Sequence, residues 1–152
     1  MGKPIALDFS QRLEIGKEFE CIVSKFLIEQ GFPLGLYLSA NKQWEFGESA
    51  SHTEIKFDRV CAKTGNLFIE VSERRDDSGN SKWRDAGIHD ASSPWFYLIG
   101  DHHALWFLSV RWLQLMFLTG KYPVRETTTA KGFLVSTQVA DKIAIRKWED
   151  WL

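Results

Sequence analysis

The sequence predicts an α/β domain with one mixed β-sheet flanked by helices. Three observations carry that expectation. Near the start, Phe19, Ile22, Val23, Phe26 and Leu27 follow the i, i+3, i+4, i+7 spacing of a core-facing helical stripe. Farther on, "TEIKFDRVCA" (Thr53–Ala62) alternates with period two, as a half-buried strand does. Helical and strand-like stretches then interleave to the end of 152 residues, with no repeat, low-complexity tract or linker, so residues 1–152 form a single domain.

The helical stripe predicts a helix over Ile15–Gln30, closed by Gly31, with Pro33 blocking its resumption. Leu34–Ser39 reads as a short strand and the polar stretch 41–53 as a loop. Within Thr53–Ala62, Ile55 and Phe57 point one way and Glu54, Lys56 and Asp58 the other. "KTGN" (Lys63–Asn66) is a turn sequence and Leu67–Ser72 a second strand, so the pair predicts a hairpin. "DDSGNS" (Asp76–Ser81) is loop-like, and Lys82–Ala91 is assigned to a short helix. Trp95–Ile99 and Ala104–Leu108 are apolar strands, and Arg111–Leu118 is a helix stopped by Gly120 and Pro123. Gly132–Val135 is the last strand, and Thr137–Trp148 is a closing helix capped by Ser136 or Thr137.

Composition narrows the function classes. The formal net charge is −1, so there is no global pull toward nucleic acid or a membrane, and an anionic partner must be held by a local patch. The most apolar run, Ala104–Leu118, is shorter than the roughly 20 residues that span a bilayer, and Arg111 interrupts it. "MGKPIALDF" has no apolar signal-peptide core. The expectation is a soluble, cytoplasmic protein with no membrane partner. Cys21 and Cys61 are too few for a disulfide framework and read as reduced core thiols. No Ser/His/Asp arrangement, Gly-rich phosphate loop or CxxC pair is present, which argues against nucleophilic hydrolases, nucleotide-binding enzymes and zinc modules.

One strand poses a chemical question. "LFIEVSERR" (Leu67–Arg75) places Glu70 inside an apolar run, and an unpaired buried carboxylate costs several kcal/mol. A cross-strand ion pair, for instance with Lys56, would hold it. So would a shared cation. Glu20 borders the apolar stripe of the first helix, with Glu18 on its opposite edge, and Asp58 ends the polar face of the strand expected to pair with Leu67–Ser72. Three acids converging on one point suit a hard divalent cation, Mg²⁺ or Mn²⁺, that keeps several waters.

In order and spacing these segments resemble the PD-(D/E)xK nuclease superfamily. "ECIVSKFLIEQGF" (Glu20–Phe32) places a Glu and a Gly as the resolvase members do, "KFDRV" supplies the motif Asp as Asp58, and "FIEVS" supplies the motif Glu as Glu70. "DAGIHDASSPWFYLIGD" (Asp85–Asp101) is similar to the small-Gly-Ile turn and aromatic strand that follow the motif. The resemblance implies a restriction-endonuclease-like fold and hydrolysis of DNA phosphodiesters. The cation would be held by Glu20, Asp58, Glu70 and the Val71 carbonyl. Nucleases of this size often pair to reach both strands, so it also leaves room for a homodimer.

The chain departs from the motif at its lysine, where Ser72 stands. Lys56, two residues before Asp58 on the same face, is the preferred replacement; Arg74, two residues past Ser72, is the other. Arg74 stays protonated and could stabilise charge but not act as a base. Without a replacement, the fold would serve as a non-catalytic module binding nucleic acid or protein. Arg74, Arg75, Lys82 and Arg84 follow the motif and would grip phosphates beside the site, or form a solvated loop. Asp101-His102-His103 reads as a turn between strands rather than a metal site.

Overall fold

A computed structural model describes residues 7–31, 53–75 and 80–152. The expected strand at 34–39 and the loop up to residue 52 lie outside the described residues. The first described element is helix α1 (Phe9–Glu29), started earlier than its apolar stripe suggests by a capping box between Asp8 and Gln11. Strand β1 (Thr53–Phe57) leads through a helical turn, α2 (Cys61–Thr64), to β2 (Asn66–Glu73). A two-residue strand, β3 (Arg84–Asp85), and a single 3-10 turn at Gly87–His89 replace the helix expected over Lys82–Ala91. Then come β4 (Phe96–Gly100), β5 (Ala104–Ser109), α3 (Val110–Leu118), β6 (Val124–Glu126), β7 (Ala130–Ser136), α4 (Thr137–Ile143) and β8 (Arg146–Glu149).

The α/β class and the mixed sheet are present, but the single sheet becomes two. The first has the order β1-β4-β5-β8, with β1 parallel to β4 and the other pairs antiparallel. The second, β3-β2-β7-β6, is antiparallel throughout. The expected hairpin between Thr53–Ala62 and Leu67–Ser72 is therefore a correction: β1 and β2 belong to different sheets. The alternation of Thr53–Ala62 breaks at Asp58, whose Oδ1 accepts from the Val60 N–H at 3.1 Å and turns the chain. Gly65, at φ 68°, then closes α2 in the left-handed conformation. At the other end, α4 stops at Ile143 because Ala144 is extended, and Arg146–Glu149 pairs with β5 instead of continuing the helix. Ser136 caps α4 as expected, its Oγ accepting from the Val139 N–H.

Three layers result. Phe19, Val23 and Leu27 of α1 pack on one face of the first sheet, against Ile55, Leu98, Leu105, Phe107 and Trp148. The other face, carrying Tyr97, Ile99, Trp106 and Leu108, packs against Leu67, Ile69, Val71, Phe133 and Val135 of the second sheet. A strand buried on both faces reads as a continuous apolar run, which is why "FYLIG" does not alternate. Cys61 is buried as expected, whereas Cys21 is exposed on the outer face of α1. No helix among the described residues is long and apolar enough to cross a membrane.

Candidate functional site

The side of β2 turned away from β7 meets the first sheet beside β1. Ile55 packs toward α1, so Glu54 and Lys56 take the other side of the same strand. Lys56 Nζ lies 2.8 Å from Glu54 Oε1 and 3.1 Å from Glu70 Oε1, bridging the two sheets. Glu54 is 4% exposed. Its second oxygen, Oε2, has no hydrogen-bond partner among the described residues. Tyr97, in register with Glu54 on β4, is fully buried, and its hydroxyl accepts from the Glu70 N–H at 3.4 Å.

The segment after β3 closes against this cluster. Gly87, at φ 56°, lies so near β2 that a Cβ there would come within 2.2 Å of the Glu70 carbonyl oxygen. Glycine is thus required twice, for the backbone conformation and for the approach. The 3-10 turn carries the chain on to Asp90, whose charge is felt by Glu54.

Burial pushes the Glu54 carboxyl above its ordinary range; Lys56 opposes this, and Glu70 and Asp90 add to it. Burial also raises Glu20, with Glu54 adding and Lys56 and Lys17 opposing. For Lys56 burial works toward a lower pKa, but Glu54 and Glu70 prevail and hold the ammonium well above its ordinary value. Burial lifts the Tyr97 hydroxyl far above the usual tyrosine range. At neutral pH the cluster therefore centres on a protonated lysine held by Glu54 and Glu70.

A cavity of about 480 Å³ opens between α1 and the edge strand β1. Glu20, Glu54 and Lys56 line it, together with Arg12, Lys17 and Arg59. Glu20 is half-buried here, while Glu18 is exposed. Of the two helix acids weighed, Glu20 lines the cavity and Glu18 does not.

Both carboxylate oxygens of Asp58 accept from backbone N–H groups. Its Oδ1 turns the chain at Val60, and its Oδ2 accepts from the Phe68 N–H at 2.9 Å, fastening the end of β1 to β2. The Val71 carbonyl accepts from the Ala86 N–H at 3.1 Å, where a β-bulge shifts the β2–β7 register between Glu70 and Ser72. Arg74 stacks on the Trp83 indole at 4.5 Å, with Lys131 on the same ring at 4.2 Å, and donates through Nε to the Thr128 carbonyl. Arg84 is ion-paired with Glu73, and Arg75 and Lys82 are exposed. None of these four basic residues lines the cavity.

Sequence reasoning brought Glu20, Lys56 and Glu70 to one neighbourhood and missed Glu54 and Tyr97. Glu54 carried a usable signal: it stands two residues before Lys56 on the same strand face, an acid–x–lysine spacing. Tyr97 carried none, since within "WFYLI" it reads as one more apolar residue. Asp101-His102-His103 is the β4–β5 turn, with Asp101 Oδ1 accepting from the His103 and Ala104 N–H groups. Cys61 donates to Asp101 Oδ2 at 3.5 Å, and burial, with Asp101 and Asp58 adding, pushes its thiol up to about 12.

Among the described residues no group of three or more His, Cys, Asp or Glu side chains stands ready-made for a metal ion. Comparison of the chain with family models, with curated proteins and with solved structures returned no match.

Proposed function

We propose that this chain is a Mg²⁺- or Mn²⁺-dependent nuclease of restriction-endonuclease-like fold that hydrolyses DNA phosphodiesters at the Glu20–Glu54–Lys56–Glu70 cluster. The observation that carries the reading is Glu54 Oε2, a buried carboxylate oxygen without a hydrogen-bond partner among the described residues, in a residue that lines a cavity beside a second acid, Glu20. An orphaned oxygen of this kind is costly unless something outside the described residues meets it. A hard cation held by one or two carboxylates and completed by waters and a substrate phosphate suits these donors. Glu54-Ile55-Lys56 also supplies, on β1, the acid–x–lysine spacing that Glu70-Val71-Ser72 lacks.

Glu54 and Glu20 would hold the cation, which would supply positive charge to the phosphate oxygens and lower the pKa of bound water. The chain's own groups have separate tasks. Lys56 keeps its proton, so it neutralises charge at the phosphate and does not act as a base. Glu70 orients Lys56 from the second sheet, and Tyr97 fixes the Glu70 backbone. Asp58 holds β1 and β2 together beneath them.

The test is cleavage of plasmid, single-stranded and branched DNA with Mg²⁺ or Mn²⁺ and with chelator. The wild type should cut only with the cation, and Glu54→Gln should not cut. No cleavage of any substrate, or undiminished cutting by Glu54→Gln, would refute the proposal. A second reading, a non-catalytic DNA-binding module, is favoured by Lys56, whose ammonium already neutralises one oxygen each of Glu54 and Glu70. Binding without cutting would select it.

A further inference from the structure

The cavity beside Glu54 reaches the surface between α1 and β1, and its rim carries Arg12, Lys17 and Arg59. All three are exposed residues. Arg12 and Lys17 come from the first half of α1, and Arg59 from the turn that Asp58 makes after β1. Two separate elements thus place cations around an opening whose wall holds Glu20, Glu54 and Lys56. The basic run past the motif is differently engaged: Arg74 is stacked on Trp83, Arg84 is paired with Glu73, and neither lines the opening.

We infer that the α1–β1 rim, through Lys17 and Arg59, is where a DNA strand is gripped by its phosphates, and that the Arg74–Arg84 segment is not the principal contact. The inference rests on the DNA-nuclease reading of the same cavity and adds the surface by which the strand enters. Acids in the wall repel a polyanion, so cations must stand outside them to bring a phosphate close. Lys56, pinned between Glu54 and Glu70, can act only on a phosphate already seated in the cavity, so the attraction that brings a strand in falls to the rim. Exposed Arg and Lys bind phosphate without reading sequence, and binding of this kind weakens steeply with salt.

The test is anisotropy of fluorescein-labelled single-stranded and duplex DNA over a salt series, in chelator so that binding is read without cutting. Lys17→Gln/Arg59→Gln should bind about tenfold or more weakly, with a salt slope shallower by about 1 for each cation removed. Lys142→Gln, on the last turn of α4, should stay within about twofold of wild type and controls for net charge. Circular dichroism checks that each variant is folded. If the double variant binds like wild type, if Arg75→Gln/Lys82→Gln loses more than it does, or if the wild type binds no DNA, the inference is overturned. Cleavage with Mg²⁺ or Mn²⁺ on the same samples separates the two ideas. Rim-dependent binding without cutting leaves the rim standing and removes the enzyme, whereas cutting that ignores the rim does the reverse.

Discussion

Replacing Lys56 with Met is the most informative single perturbation, because it removes the cation between two acids and leaves the packing volume nearly unchanged. At 2.8 Å and an effective dielectric near 20, the gross attraction to Glu54 is on the order of 6 kcal/mol, most of it offset by desolvation. Breaking a fully buried pair costs about 3–5 kcal/mol and an exposed one about 0–1. The Lys56 side chain is 32% exposed and that of Glu54 only 5%. The expected loss therefore lies between those limits, about 2 kcal/mol near neutral pH.

The pH dependence gives the sign. The raised pKa of Lys56 contributes stability that is fully present below its ordinary value of 10.5 and is lost only as pH climbs through the higher folded value. Glu54 and Glu20 are raised by burial, so their contribution is present at low pH and falls as pH rises through their folded pKa values. In the wild type Lys56 compensates for that fall. In Lys56→Met it does not, so the deficit should shrink as pH drops from about 8 to about 5 and Glu54 takes up a proton. Urea unfolding followed by tryptophan fluorescence at those pH values measures it, and adding Glu54→Gln should restore most of the loss near neutral pH. A deficit independent of pH, or no deficit, would refute the account of Lys56 as the counter-charge of a buried carboxylate.

Other outcomes follow from the same geometry. Asp58→Ala leaves the Val60 and Phe68 N–H groups without their acceptor, at about 1–3 kcal/mol for a buried group, and should lower the urea midpoint more than Asp58→Asn, which keeps an acceptor. Wild-type stability in Asp58→Ala would move Asp58 from the scaffold to the chemistry. Gly87→Ala places a methyl against the Glu70 carbonyl at a positive φ, and should destabilise by about 2 kcal/mol or more in thermal unfolding. Toward a thiol reagent at mildly alkaline pH, exposed Cys21 should react promptly. Cys61, buried and pushed up to about 12, should react only on unfolding, and two fast thiols in the folded protein would contradict the placement of α2.

Local chemistry was legible in the sequence. Of the stripe Phe19, Ile22, Val23, Phe26 and Leu27 that marked the buried face of α1, Phe19, Val23 and Leu27 are buried, Phe26 is half-buried and Ile22, at the edge of the face, is exposed. Ser136, one of the two cap candidates, caps α4, and the apolar run Ala104–Leu108 is the strand it was expected to be. The oddity of Glu70 in an apolar strand pointed to a charged partner, and Lys56, weighed as an ion-pair partner, contacts it. Pairing was not legible. The strongest hairpin signature in the chain joined two strands that lie in different sheets, and β1 found its neighbour at β4, about forty residues on. The tail Arg146–Glu149 had a helix-compatible pattern until β5 offered it hydrogen bonds.

The site divides along the same line. Sequence alternation put Glu54, Lys56 and Asp58 on one face of a strand but could not say where that strand ends or which sheet it faces. The tertiary structure ends it at Phe57, so Asp58 serves the backbone of β2 while Glu54 goes to the buried cluster. Only packing could bring Tyr97 beneath Glu70 and the Gly87 turn against it. A residue's type and local period are properties of its near neighbours in the chain. The burial that shifts Glu54, and the cation that answers it, come from segments that meet only when two sheets close on each other.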